Sequence, residues 1–420
     1  MLSLKFRFCI DFLRKLNGDR KKKAKMSFNM DAEVRFRRII SMFFNSAPFD
    51  VEDYATQNVQ LILPTVPRED VIELCQAVTD IFKDGPSLLE LQSPIIVVGD
   101  IHGHVLDFFR IFKKYGIPEN QKYLFLGDLV DRGEFAVETI IIAFAFKVIY
   151  PDNFYIIRGN HEFEFLCSQC GFSKQIADIY GPALFDKFLA AFSYMPISAL
   201  IDKNIVCVHG GLGPSTFSIN QLKSIERPIH DFTDDFLNAI LWSDPTNSTD
   251  QFIPSTRGTG YLFGESALKE FVDQNNLKLL VRAHECVMGG IEMNFENKCM
   301  TVFSASNYCG LMNNQSAILN VTSPDSYEVV TFDPLPYLKR ESVVYRTGAR
   351  APRRSTFGFT MRSNVGSSSI EKLPQLTSIP SFTPRKPDSP LIQHQSPTTP
   401  SLTKQQTLPS FKFGRRYSSF

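Results

Sequence analysis

Residues 94–104 read "PIIVVGDIHGH": an apolar run that ends on Asp100 and His102, with Gly99 and Gly103 around them. Four consecutive β-branched residues, Ile95 to Val98, fit a strand buried on both faces. Two strong metal ligands on so tight a turn raise the question of what completes their coordination. Four more apolar runs end in the same way. "KYLFLGD" ends on Asp128 and "FYIIRGN" on Asn160, with His161 next; "NIVCVHGG" carries His209 and "LKLLVRAH" ends on His284. The steps from Asp100 to Asp128 to Asn160 each hold one strand–helix–strand unit, with helices expected around 105–114 and 134–148. Active groups at strand C-termini are what α/β sheets usually present.

Each motif alone is a turn with a polar residue in it. As a set they point to a cation. Of seven histidines, four (102, 161, 209 and 284) fall at these strand ends beside Asp100, Asp128 and Asn160. Buried carboxylates without partners are costly, so gathering several requires positive charge among them. Carboxylate, imidazole and amide donors together suit Mn, Fe or Zn.

The rest of the chain sets limits. Its formal charge of +1 conceals an asymmetry: residues 1–25 carry +7, residues 336–420 carry +11, and the middle carries −17. The eight cysteines are scattered, and the one CxxC, Cys167–Cys170, has no second pair to make a zinc knuckle; reduced thiols and a cytoplasmic or nuclear location are expected. No run approaches the length of a membrane span, and "TIIIAFAF" (139–146) reads as a buried helix. Residues 68–83 have helical periodicity with acids at the start. Three regions are expected: a basic, partly disordered extension over 1–45, a catalytic domain over 46–340, and a disordered, basic Ser/Thr/Pro-rich tail over 341–420. Opposite charges suggest that this tail lies across an acidic face of the domain and lowers its activity.

"GDIHG", "GDLVDRG", "RGNHE", "HGG", "LWSDP", "RAHE" and "FSASNYCG" follow one another in the order found in the phosphoprotein phosphatases, and the chain resembles that family over about 46–336. The resemblance is to type-1/type-2A-like catalytic subunits. It implies an α/β metallophosphoesterase (calcineurin-like) fold, a central β-sandwich flanked by helices, with two divalent metal ions (Mn2+ or Fe/Zn) at the strand ends. Asp100, His102 and a bridging Asp128 would hold one ion; Asp128, Asn160, His209 and His284 would hold the other. The implied activity is hydrolysis of phosphoserine and phosphothreonine by direct attack of a metal-bridging hydroxide. Arg132 and Arg257 match phosphate-binding arginines, Asn160 and Tyr308 would also touch substrate, and His161, oriented by Asp131, matches the general acid. Phosphoprotein substrates and regulatory or targeting subunits are the expected partners; a nucleic-acid partner is not.

The chain departs from the family pattern in places. His104 stands where Gln is common, Leu129 where Tyr is usual, and Ser306 where Pro is usual. After "RGNHE" the pattern R-x-YGF reads "SQCGF" (168–172). A rival reading is a metallophosphoesterase acting on small phosphoesters such as dinucleotide polyphosphates, which shares the "GDxHG" and "GNHE" chemistry. A second is a non-catalytic scaffold, which the full ligand set argues against.

Overall fold

A computed structural model of the 420-residue chain describes residues 30–44, 51–55, 60–216 and 218–347. Two sheets face each other. One has six strands, in the order 291–294, 299–302, 279–282, 205–207, 198–201, 88–91; the other has five, in the order 326–332, 316–323, 95–98, 123–125, 154–156. The strand alternation explains the layering. Ile95 and Val97 point between the sheets, where they meet Leu124, Ile205, Leu279 and Val281. Their neighbours Ile96 and Val98 pack on the helices outside the five-stranded sheet. Val206 and Leu280 face the helices outside the other sheet. The central strands 95–98, 123–125, 205–207 and 279–282 are thus buried on both faces, as their unbroken apolar sequences require, whereas the edge strand 326–332 is mostly exposed. Full burial of each such side chain contributes about 1.5–3 kcal/mol.

The helices fall where the periodicity puts them: Arg68–Asp84, Val105–Tyr115 and Ala136–Ile149. In the last of these every residue from Ala136 to Lys147 is buried, consistent with its apolar run. Among the described residues no helix is long and apolar enough to cross a membrane, and seven free cysteines are found.

The expected domain limits of 46 and 340 are too narrow. A helix over 30–44 buries Phe36, Ile39, Ile40 and Phe43 in the main core. At the other end, strand Val344–Thr347 pairs in parallel with Ile62–Thr65. The buried Glu138 carboxylate is held there by both guanidinium nitrogens of Arg340, at 3.0 and 2.7 Å. Apolar side chains at 36, 39, 40 and 43 and the strand at 344–347 thus extend the folded unit past both expected limits. The basic stretch before residue 30 and the tail after 347 lie outside the described residues, and the expected tail contact lies there too.

Candidate active site

Strands Ile95–Val98, Tyr123–Phe125 and Phe154–Ile156 run parallel in one sheet, and Ile205–Cys207 and Leu279–Arg282 run parallel in the other. Their C-terminal ends meet at one end of the sandwich. The first sheet delivers Asp100, His102, Asp128 and Asn160; the second delivers His209 and His284. All six are buried. The turns are tight enough that His102, Asp128, Asp131, Arg132 and His284 adopt positive φ, between 46° and 70°. At Gly159 a Cβ would fall 2.2 Å from Asp128 Oδ1, so only glycine lets the third strand end approach the second.

The polar atoms are arranged in a specific way. His102 Nδ1 donates to the Val130 carbonyl and His209 Nδ1 to the Leu126 carbonyl, each at 2.8 Å. Each ring therefore turns an unprotonated Nε2 toward the site. Both Nε2 atoms lie 3.4 Å from the same oxygen, Asp128 Oδ2, and His102 Nε2 is also 3.6 Å from Asp100 Oδ2. The other carboxylate oxygens are engaged: Asp100 Oδ1 accepts the His284 N–H at 3.1 Å, and Asp128 Oδ1 accepts the His161 N–H at 2.9 Å. Asn160 Nδ2 lies 3.4 Å from His284 Nδ1. Asp100 Oδ2, Asn160 Oδ1, His209 Nε2 and His284 Nε2 are buried without a hydrogen-bond partner. At Asp100, Asn160 and His209 lone pairs face lone pairs, and cations resolve that frustration. Donor atoms of Asp128, His209 and His284 lie within 4.8 Å of one another, as do those of His102, Asp128 and His161. Asp128 belongs to both groups. The set fits two divalent ions with a shared carboxylate.

Burial pushes Asp100 up to about 7, with Asp128 repelling it, and Asp128 itself up to about 8. Burial holds His102 and His284 well below their usual range and lowers His209. Removal from water penalises every charged form, and bound cations would reverse the balance for the carboxylates.

An open cavity of about 390 Å³ is lined by Asp100, His102, Asp128, Arg132, Asn160, His161, Arg257, His284 and Tyr308. The structure thus brings every residue singled out in the sequence to one place, although His209 lies beneath the cavity floor and Asp131 behind His161. Arg132 is exposed at the mouth. Arg257 donates through Nε to Asp244 Oδ2 at 2.6 Å. The Tyr308 ring centroid sits 5.4 Å from that of His102, at the rim.

Three buried groups were missed in the sequence, although each lies inside a quoted motif. Glu162 accepts the backbone N–H groups of Asp128, Leu129 and Gly159 at 2.8–2.9 Å and locks two ligand-bearing turns together. Arg282, with no exposed side chain, donates to the Gly210 carbonyl and to Asp244 Oδ1, both at 2.7 Å. Asp244 therefore bridges Arg282 and Arg257 and fixes the latter's approach to the cavity. Charged residues beside ligands within short apolar contexts were the available signal.

The calcineurin-like phosphoesterase family matches residues 93–288. A protein serine/threonine phosphatase from Saccharomyces cerevisiae with similarity to human phosphatase PP5 is 31% identical, with 64% of this chain and 90% of that one covered and a TM-score of 0.60. A cold-active protein-tyrosine phosphatase of a psychrophile, a Shewanella species, is 15% identical, with 60% and 84% covered and a TM-score of 0.46. With its metal-ligand cradle at the strand ends of a β-sandwich, the chain belongs to the calcineurin-like phosphoesterases and, within them, to the phosphoprotein phosphatase family.

Proposed function

We propose that the protein is a serine/threonine protein phosphatase that hydrolyses phosphoserine and phosphothreonine with two divalent ions, Mn2+ or an Fe/Zn pair, in its cradle. The observation that carries this reading is the Asp128 carboxylate oxygen set between two unprotonated imidazole nitrogens, 3.4 Å from each. Asp100, His102 and Asp128 would hold one ion, and Asp128, Asn160, His209 and His284 the other. When bound, such ions polarise phosphate oxygens and lower the pKa of water toward neutrality.

The chain's own residues supply the rest. Arg132 and Arg257 flank the cavity and can hold phosphate oxygens in planar, two-point contacts that strengthen as charge develops on them. The Asp244 contact takes Arg257 Nε and Nη2 lies 4.0 Å from Glu285 Oε1, so Nη1 is the terminal nitrogen left free for substrate. Asn160, on the cavity wall, can donate from its amide nitrogen to a phosphate oxygen, and Tyr308 closes the rim. His161 Nδ1 donates to Asp131 at 2.7 Å, which fixes the imidazole and leaves Nε2 to protonate the departing seryl or threonyl oxygen. Burial and Arg132 hold His161 well below its usual range, and an arriving phosphate dianion favours its protonated form.

The similarity to a protein serine/threonine phosphatase at 31% identity supports a protein substrate; the regulatory or targeting subunits implied by the motif resemblance belong to the same proposal. The test is hydrolysis of a phosphothreonine peptide against a diadenosine polyphosphate by the Mn2+-loaded chain. The reading expects the peptide to be preferred in kcat/KM; preference for the dinucleotide would overturn it in favour of small phosphoesters.

A further inference from the structure

The departure "SQCGF" (168–172) brings a thiol to the edge of the site. Cys170 is half-buried, and its carbonyl accepts the Arg132 N–H at 3.2 Å. Its own N–H donates to the Leu166 carbonyl at 2.9 Å, and two residues on the Phe172 N–H donates to Asp131 Oδ1 at 2.9 Å. The segment is thus pinned by its backbone against the Asp131 turn. One donor atom each from Asp131, His161 and Cys170 lies within 4.8 Å of the other two. Asp131 and Cys170 lie outside the cradle, His161 is shared with its His102–Asp128 edge, and no step proposed above uses the thiol.

We propose that Asp131, His161 and Cys170 form a third cation site, one that takes a thiophilic divalent ion such as Zn2+ and inhibits the enzyme. Zinc binds thiolate, imidazole and carboxylate at 2.0–2.3 Å, with four ligands in a tetrahedron. Donors in such a site lie about 3.3–3.8 Å apart, so the ion must part the 2.7 Å His161–Asp131 pair, at the cost of that hydrogen bond, while the half-exposed Cys170 thiol turns in. Solvent supplies the fourth ligand, since Cys170 is partly exposed. The thiol gives the selectivity. Mn2+ and Mg2+ prefer the oxygen-rich cradle, whereas a thiolate favours Zn2+ or Cd2+. On binding, the Cys170 proton leaves to solvent, and the proton His161 Nδ1 shares with Asp131 moves by way of solvent to Nε2, so the neutral imidazole coordinates through Nδ1 and cannot take the second proton that general acid catalysis needs. The imidazole then serves the ion and no longer the leaving group. Only this inhibitory half rests on the proposed roles of His161 and Asp131; occupancy of the site does not.

The experiment uses the full chain loaded with Mn2+. Cd2+ is titrated in while thiolate-to-metal charge-transfer absorption is followed, and Zn2+ inhibition is measured in parallel. Cys170→Ser is compared with Cys286→Ser and Cys309→Ser, whose thiols line the main cavity. The expected result is absorption lost only in Cys170→Ser. In that variant the Zn2+ concentration for half-inhibition should rise by about tenfold or more, since losing even an outer-shell partner costs that much affinity, and activity without Zn2+ should be unchanged. Absorption that persists in Cys170→Ser overturns the site, even in a chain inactive on every phosphoester. Equal Zn2+ inhibition of wild type and Cys170→Ser overturns its inhibitory role.

Discussion

His161 and Asp131 are joined by a 2.7 Å hydrogen bond, and the second Asp131 oxygen is taken by the Phe172 N–H at 2.9 Å. The carboxylate cannot rotate without losing a buried bond, so the imidazole it holds is fixed in direction. In the phosphatase reading this pair delivers the proton to the leaving oxygen.

His161→Ala should lower kcat on a phosphothreonine peptide by about 10²–10⁴, the usual range for general acid catalysis. An aryl phosphate, whose leaving group needs little protonation, should lose less. Steady-state kinetics on both substrates checks this, and equal losses would assign His161 a purely positional role.

Asp128 Oδ2 is 3.4 Å from both His102 and His209. Asp128→Asn removes the shared negative charge, so both halves of the cradle should weaken together. Metal per chain should drop toward zero by mass analysis, and activity should fall by orders of magnitude. Retention of one full equivalent would mean the carboxylate serves a single ion.

Glu162 accepts from three backbone N–H groups, with Oε2 serving Asp128 and Gly159 and Oε1 serving Leu129. In Glu162→Gln an amide NH2 must face at least one of these donors. An unpaired buried group costs about 1–3 kcal/mol, and a loosened Asp128 turn should weaken metal binding about 10–100-fold. Thermal unfolding and metal titration of the variant measure the two effects separately.

The metal-free protein should lose stability as pH rises from about 6.5 to 8. In that window Asp100 and Asp128, raised to about 7 and about 8, bind more protons folded than unfolded, so stability falls as they ionise. The buried histidines act in the opposite sense, with an effect that fades as pH rises above their ordinary value of 6.5. Bound Mn2+ neutralises the carboxylates and should flatten the slope. Melting temperatures at pH 6.5 and 8, with and without metal, check it; a slope unchanged by metal would place the carboxylates outside the ion sites.

The sequence by itself determined the strands and their ends. Unbroken apolar runs such as Ile95–Val98 and Leu279–Val281 can be satisfied only by burial on both faces, and glycines beside Asp100, Asp128 and Asn160 mark sharp turns there. These signals are local, which is why the ligand set and the helices between could be read along the chain. Tertiary structure decided what depends on partners distant in sequence. Cys170 has no visible connection to His161 until the 168–172 segment folds back on the Asp131 turn. Strand Val344–Thr347 extends the folded unit only because it pairs with Ile62–Thr65, some 280 residues earlier. The pairing of His209, from one sheet, with Asp128, from the other, exists only because two sheets close face to face. Lone pairs from both sheets then share one small volume that a cation must balance, and no local sequence pattern encodes that distance.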